Sequence, residues 1–420
     1  MKQPVTAVLL GAGGRGFYSY APYALEHPDE LRFVAVAEPD PVRRERFAKT
    51  HNIAPENQFT TWEDLLARGQ MADVLLNCTQ DRMHYPSTMA AIEAGYHILL
   101  EKPMAERLEH VVSLVQAAER ANRLLQVCHV LRYTNMFATL HDILASGRIG
   151  DIITVEHREN VAFWHMAHSF VRGHWRNAEL SSPMILAKCC HDLDILYWNM
   201  GMPVSKLQSF GSLIYFRPEN LPAGATMRCT DGCPVECKYD ARRLYLRPEL
   251  TEWPISAITD DFSPEGRWRA LETGPWGRCV WRCDNDVVDT QTVNMEFPNG
   301  ATMTLFMHGH SYEEQRTMRY DGTRATLRGK FDHTGGVIEI HDHLEQRCEV
   351  VDLASGPSGH GGGDFGLMRG FIRAVRGEDR PLTGGRESLE SHLMAFAAEE
   401  SRQNGTVIDM AEYRARAERA

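Results

Sequence analysis

The stretch VTAVLLGAGGRG, Val5 to Gly16, decides the fold of the N-terminal part of the chain. Its first half is a β-branched and aliphatic run, as in a strand buried on both faces. Its second half is G-x-G-x-x-G, with Gly14 and Arg15 between the outer glycines. A chain leaving a buried strand through such a turn can bring main-chain N–H groups close to a pyrophosphate and pack the next helix tightly on the strand. The order of strand and turn predicts a dinucleotide cradle formed by Gly11, Gly13, Gly14, Arg15 and Gly16. Pro22, in GFYSYAPYALEHP, predicts that the first regular helix starts late or kinks.

Working outward, a second strand pattern, LRFVAVAEPD, ends in Glu38, 22 residues after Gly16. A carboxylate there accepts hydrogen bonds from the adenosine ribose hydroxyls and repels a 2′-phosphate, so NAD is expected over NADP, a preference tempered by Arg43 and Arg44. DVLLNCTQ (Asp73 to Gln80), the helical PSTMAAIEAG and the strand HILL continue the alternation of a doubly wound sheet. Its ligand crevice lies beyond the strand carboxyl ends, which places Thr79, Gln80, His84, Glu101 and Lys102 beside the nucleotide.

At 420 residues the chain exceeds what one core usually organises, so two domains are expected, 1–124 and 125–420. A hydrophobic fraction of 43% and a charged fraction of 24% are those of a compact globular protein. The formal charge of -11, with Lys and Arg scattered, offers no basic stripe for a phosphodiester backbone, and nucleic acid is not expected as a partner. The apolar run before Gly11 is too short for a signal sequence or a membrane span, so no membrane association and a cytoplasmic location are expected. The ten cysteines are clustered, which favours thiols, metal ligands or buried fillers over disulfides.

HILLEKPMA (His97 to Ala105) puts Glu-Lys-Pro at a buried strand end. Together with GAGGRG, the AEPD strand end, QVCHVLRYT, SGRIGDI and CHDLDIL, it makes the chain resemble the Gfo/Idh/MocA family of NAD(P)-dependent oxidoreductases over nearly its whole length. The resemblance implies a Rossmann domain followed by an α/β domain on a large, mostly antiparallel sheet. The open face of that sheet commonly packs against another subunit, so a homo-oligomer, dimer or tetramer, is expected. It also implies that Lys102 lies beside the nicotinamide and the substrate hydroxyl, where a neighbouring cationic ring would lower its pKa and let it assist proton transfer.

MILAKCCHDLDILYW, Met184 to Trp198, reads as a helix with Lys188, His191, Asp192 and Ile195 on one face and Leu186, Cys189, Leu193 and Leu196 as an apolar stripe. The family pattern here is close to D-x-G-x-H-x-x-D. His191 matches its histidine, which takes the hydroxyl proton, and Asp194 its last acid, but Ala187 stands where the first aspartate would be. Lys188 is expected to partner His191 from the preceding turn and keep it a neutral base. The adjacent Cys189 and Cys190 point about 100° apart on a helix and read as buried filler.

The preceding segment, Arg158 to Asn177, is crowded with rings and cations. Trp164, His165, His168 and Trp175 can stack on sugar faces, while Arg172 and Arg176 can bind hydroxyls, carboxylates or sulfonates. With Lys188 nearby in sequence, an acidic sugar or sugar derivative is one candidate, and Asp192 is expected among the substrate-binding residues. His129, Arg132 and Tyr133 are expected to line the same pocket. Residues 217–277 form an irregular insertion. Cys229, Cys233 and Cys237 recur there at x3 spacing, and Cys279 and Cys283 repeat it just beyond, so these thiolates could hold a structural zinc; reduced, partly buried thiols are the alternative. GHGGGD (Gly359 to Asp364) opens a helix whose His360 or Asp364 is placed to reach the pocket or a subunit contact. ESLESHLMAFAAEESRQNG is an amphipathic packing helix with an Asn-Gly stop.

The resemblance and the residues together point to hydride transfer from a sugar or polyol to NAD, with Lys102, His191 and Lys188 as the proton-handling groups. A second reading is a redox-neutral glycoside hydrolase that oxidises a sugar carbon transiently, eliminates the aglycone, adds water and reduces again, on an anionic sugar glycoside in one version. The third is a nucleotide- or sugar-binding protein without catalysis.

Overall fold

The structure, a computed structural model, describes residues 3–332, 334–354, 356 and 359–419. Six strands, β1 (Val5–Leu10), β2 (Leu31–Ala37), β3 (Gln58–Phe59), β4 (Val74–Asn77), β5 (His97–Leu100) and β6 (Leu125–Val127), form a wholly parallel sheet in the order β3-β2-β1-β4-β5-β6. The order reverses between β1 and β4, and their carboxyl ends open the crevice in which such sheets hold ligands. β1 is apolar apart from Thr6 because both faces are covered. Val8 and Leu10 join one core with the helix Leu108–Arg120, while Ala7 and Leu9 join the other with Phe47.

That second core is completed from far along the chain. Leu367, Met368, Phe371 and Ile372, on the helix Gly363–Val375, pack there with Leu9 and Val36. The N-terminal turn of this late helix, with His360 and Asp364, is thereby delivered to the crevice of the parallel sheet.

The glycine turn shows why side chains are excluded at its outer positions. Gly11 has φ +86°, and a Cβ on it would lie 2.5 Å from the Cys78 carbonyl oxygen; one on Gly16 would lie 2.1 Å from the Gly11 oxygen. The first regular helix does start late. Gly14–Tyr20 is wound in wide π-type turns, and α-helix begins only at Ala21, with Pro22 in its first turn where a missing N–H costs nothing. Asp40 caps the next helix, Pro41–His51, by accepting from the Val42 and Arg43 N–H groups.

The second sheet has nine strands: β7 (Ile152–Ala162), β8 (Lys206–Ser212), β9 (Thr290–Glu296), β10 (Thr302–Ser311), β11 (Gln315–Gly322), β12 (Ala325–Asp332), β13 (Gly335–Asp342), β14 (Cys348–Ala354) and β15 (Ile408–Asp409). Their order is β14-β13-β12-β11-β7-β10-β9-β8-β15, antiparallel throughout except for the β7–β10 pair. Period-2 alternation puts Met303, Leu305 and Met307 of β10 inside, in one core with the helices Cys190–Met200 and Gly385–Asn404. The opposite face carries Thr302, Thr304 and Phe306 and is open.

Between β8 and β9 lies the irregular insertion, whose small core is Cys229, Ala241, Tyr245, Ile255 and Leu271. Among the described residues no helix is long and apolar enough to cross a membrane.

Candidate functional site

The turn after β1 and the end of β2 form a cradle. Glu38 Oε2 accepts from the Ala12 N–H at 2.7 Å and Oε1 from the Asp40 N–H at 3.0 Å, so the carboxylate is fastened beside the glycines. A Cβ on Gly14 would meet nothing within 4 Å, and one on Gly13 only Arg43 Nη1, at 3.9 Å. Open space over Gly13 and Gly14, bordered by a fixed carboxylate, fits a pyrophosphate and ribose. The residues present therefore suit a dinucleotide.

Arg15 does not point out as a free phosphate ligand. Its Nε donates to Glu101 Oε1 at 2.5 Å, and its Nη2 donates to Tyr20 Oη and, at 2.8 Å, to Asp364 Oδ1. Burial opposes charge on Glu101, but Arg15, Lys102 and the Tyr20 hydroxyl outweigh it and hold its pKa below the ordinary value. Asp364, buried at the start of its helix, is likewise held below the carboxylate range: burial is overcome by Arg15 and His360.

At the end of β4, Thr79 donates its hydroxyl to Asn77 Oδ1, and Gln80 precedes the helix Asp81–Glu93 without a side-chain cap bond. His84 is a correction to the sequence expectation. Nδ1 lies 2.7 Å from the Pro103 oxygen and Nε2 3.0 Å from the Thr79 oxygen, so the ring braces two loops and keeps no nitrogen for a ligand.

Lys102, beyond β5, donates Nζ to the Ala187 carbonyl at 3.0 Å and makes no ion pair within 4 Å among the described residues. Where the family pattern has a carboxylate, this chain offers Lys102 a neutral carbonyl. Beside it is a group of imidazoles. His191 lies in the first turn of its helix, 6% exposed, with Nδ1 buried and unpartnered. Its ring centroid is 5.7 Å from that of His129 and 6.2 Å from that of His360. Burial, then the Lys102, His129 and His360 charges, push its pKa well below the usual histidine value, so it is a neutral base. His129 is similarly lowered, first by burial, then by Arg132 and Lys102. His392, on Gly385–Asn404, accepts from the Met104 N–H at 2.9 Å; burial and His129 lower it to about 3.

His360 completes the group from the opposite wall. Its Nδ1 lies 3.2 Å from Asp364 Oδ1, and its side chain is exposed to the crevice.

Several expectations are corrected. Met184–Trp198 is not one helix: Met184–Ala187 and Cys190–Met200 are separated at Lys188 and Cys189. The break turns Lys188 away from His191. Its Nζ instead lies 2.9 Å from Glu314 Oε1 and 3.3 Å from Glu159 Oε1, and those two acids overcome burial to raise its pKa. Asp192 faces the sheet, accepting from Arg316 Nε at 2.8 Å with His157 Nε2 also 2.8 Å away. Cys189 and Cys190 are fully buried in the main core as filler.

The arginines are consumed by structure. Arg132 makes a bidentate pair with Asp194 at 2.7 and 2.6 Å. Arg172 donates to the Arg278 and Tyr239 carbonyls, and Arg176 pairs with Asp284. Tyr133 Oη accepts from Gln126 Nε2, leaving its ring against Gly370. Trp175 donates to Asp81 Oδ2, tying the second domain to the crevice.

Trp164 and His165 remain at the wall with Trp253, a residue the sequence did not single out: the Trp253 ring is 5.4 Å from Trp164 and 4.8 Å from His165. His165 Nδ1 is held by Glu314 at 2.8 Å, while His168 is buried behind against Tyr245 Oη. Glu314, Tyr20, Asp81 and His392 were also missed. Each is brought in by a contact from more than eighty residues away, or sits in an element whose local pattern reads as plain packing.

The zinc expectation is not met. Cys229, Cys233, Cys237 and Cys279 line a cavity of about 20 Å³, but the Arg172 guanidinium points at Cys229 Sγ, which also accepts from the Ala241 N–H. Cys283 Sγ turns to the Cys279 oxygen. Among the described residues no group of three or more His, Cys, Asp or Glu is gathered to hold a metal ion.

Comparison with known proteins agrees with this geometry. Residues 5–129 match the family model described as an oxidoreductase family with an NAD-binding Rossmann fold, and residues 142–410 match the C-terminal alpha/beta domain of the same family. The chain is 20% identical over 378 residues to the "Putative oxidoreductase YteT" of Bacillus subtilis (strain 168), covering 85% of this chain and 86% of that protein. Its fold is shared with an oxidoreductase from Agrobacterium radiobacter solved with NAD+, L-tartaric acid and magnesium (TM-score 0.71, 16% identity, 98% and 99% of the two chains). It is also shared with an aldose-aldose oxidoreductase from Caulobacter crescentus complexed with glycerol (TM-score 0.70, 15% identity, 97% and 100%). With both halves matched, this chain belongs to the Gfo/Idh/MocA family of oxidoreductases.

Proposed function

We propose that the chain is an NAD-dependent oxidoreductase that oxidises a secondary alcohol of a neutral sugar or polyol. The observation that carries this reading is the buried His191, with neither ring nitrogen hydrogen-bonded among the described residues and burial favouring its neutral form, beside Lys102 at the mouth of the glycine cradle. The bound dinucleotide would supply an electrophilic ring carbon as hydride acceptor. Lys102, steered by the Ala187 carbonyl, orients the substrate hydroxyl. His191 Nδ1 is buried away from the crevice, so Nε2, which makes no hydrogen bond among the described residues, is the nitrogen left to take the hydroxyl proton, and such proton transfer contributes about 10²- to 10⁴-fold to rate.

Apart from Lys102, whose ammonium is assigned to the substrate hydroxyl, charge accounting favours a neutral substrate over the acidic sugar. Arg132, Arg172 and Arg176 are each satisfied within the protein, and Lys188 is neutralised by Glu314 and Glu159. Trp164, His165 and Trp253 offer ring faces on which an apolar sugar face stacks.

The His360–Asp364 pair favours one second reading, redox-neutral glycoside hydrolysis, because elimination and hydration require an acid or base besides His191. A panel of neutral and acidic sugars, polyols and aryl glycosides separates the readings when reduced nicotinamide and free phenol are monitored together. Reduced nicotinamide from a neutral polyol supports the dehydrogenase, and phenol release at constant NAD supports the hydrolase. If Lys102→Ala responds to every compound as the parent protein does, both fail and a non-catalytic binding role takes their place. Self-association through the open face of the second sheet, which exposes Phe210 and Val350, completes the reading and is checked by light scattering.

A further inference from the structure

Three arginines flank the ribose edge of the cradle, and the structure disposes of each differently. Arg44 donates to the Glu38 and Pro39 carbonyls at the end of β2. Arg43 Nε and Arg46 Nη1 each lie 3.1 Å from a different oxygen of one carboxylate, Asp260. Asp260 belongs to the insertion between β8 and β9, more than two hundred residues away in sequence. Arg46 also lies over the Phe17 ring, its Cζ 4.4 Å from the centroid, directly after the glycine turn, and Arg43 Nη1 approaches Gly13.

We infer that Asp260 is a specificity-determining residue: delivered by the insertion, it neutralises Arg43 and Arg46 and so sets the preference for a dinucleotide without a 2′-phosphate. This rests on the reading that the cradle takes a dinucleotide, and extends it to the substituent on the adenosine ribose. Two unpaired guanidiniums beside a ribose edge would make a fork for a phosphate, which carries between one and two negative charges near neutral pH. With Asp260 in place, Glu38, Asp40 and Asp260 balance Arg43, Arg44 and Arg46, so the edge has no net charge with which to attract a phosphate, and Glu38 repels it directly. Carboxylate and guanidiniums are partly buried, with side-chain exposures of 24%, 31% and 28%, so the pairing is less screened than at an open surface.

The test uses the full-length protein titrated with NADH and with NADPH, read by nicotinamide fluorescence. The parent protein is expected to bind NADH more tightly. Asp260→Asn, which keeps the side-chain shape, should shift the ratio of the two dissociation constants toward NADPH by about ten-fold or more, as expected for one freed charge-assisted phosphate contact. Adding both Arg43→Ala and Arg46→Ala to Asp260→Asn should abolish the shift, which a merely loosened insertion would not predict. Arg43→Ala with Arg46→Ala in the parent background, which leaves the insertion sequence intact, should give no shift toward NADPH, because both arginines are already neutralised and their loss leaves the edge acidic. An unchanged ratio in Asp260→Asn, or a shift that survives the loss of both arginines, overturns the inference while leaving the dehydrogenase reading standing. A parent protein that binds neither dinucleotide overturns both.

Discussion

A single methyl group separates two uses of glycine in the cradle. A Cβ on Gly16 would collide with the Gly11 carbonyl at 2.1 Å, whereas one on Gly14 would enter open space. Gly16→Ala is therefore expected to lower the melting temperature of the protein without ligand, and Gly14→Ala to leave it nearly unchanged while weakening NADH binding, because the added methyl fills the place of the pyrophosphate. Thermal melts with and without NADH separate the two; equal effects on both would show that Gly14 is not at the ligand. At the base of the crevice, Lys102→Met should lower turnover by about 10²-fold with dinucleotide affinity kept within a few-fold, since Lys102 is assigned to orienting the substrate hydroxyl and not to the pyrophosphate. Stopped-flow measurement of the hydride step on the responsive sugar reads the first quantity and fluorescence titration the second.

At the scale of elements, the insertion is held by a cation where the cysteine spacing offers a metal or reduced thiols. Arg172, nearly fully buried, donates to the main-chain oxygens of Arg278 and Tyr239 and toward Cys229 Sγ, joining the turn after β7 to the small core of Cys229, Tyr245 and Leu271. Charge-assisted bonds of this kind contribute about 1.5–3 kcal/mol each, and carbonyls stranded by their loss remain buried. Arg172→Leu should therefore loosen the insertion before the rest of the protein unfolds. The expected readout is faster proteolysis and amide exchange within residues 217–277, with chelators having no effect on the parent protein. Protection unchanged from the parent would remove Arg172 from this role. The break between Met184–Ala187 and Cys190–Met200 acts at the same scale: it sends Lys188 to the second sheet and leaves His191 in a first helical turn, where the helix dipole adds to burial in keeping the ring neutral.

Across the whole molecule, buried titrating groups make stability depend on pH in opposing senses. His392, lowered to about 3 by burial, and His129 and His191, lowered well below the ordinary value by burial, are neutral when folded and protonate readily when unfolded near pH 6.5. Their contribution is fully present above that pH and is lost as pH falls, at about 1.4 kcal/mol per unit for each histidine. Glu159, pushed up to about 7 by burial, acts in reverse and costs stability as pH rises from its unfolded value near 4.5 toward 7. Three histidines outweigh one glutamate, so the melting temperature should fall on acidification below about pH 6.5. His392→Gln should flatten that fall whatever its effect on the melting temperature at neutral pH. A melting temperature independent of pH between 4.5 and 6.5 would contradict the assignment.

Local pattern by itself determined the parallel sheet. VTAVLL, the glycine turn, the strand ending in Glu38 and the late helix start at Pro22 are all short-range consequences of burial, φ preference and missing N–H groups. Resemblance extended the reading to the second sheet and to Lys102 and His191. Only the tertiary structure decided which charges were free. Arg132, Arg172, Arg176 and Lys188 are equally basic in the sequence, yet each is neutralised or satisfied by a group distant along the chain, and Asp260 reaches the nucleotide domain from an insertion with no periodicity to announce it. The physical reason is one of range: steric and hydrogen-bonding preferences of the backbone act over a few residues and leave a periodic signature. Pairing between buried charges depends on distance in space, which the chain settles only when its domains close on each other.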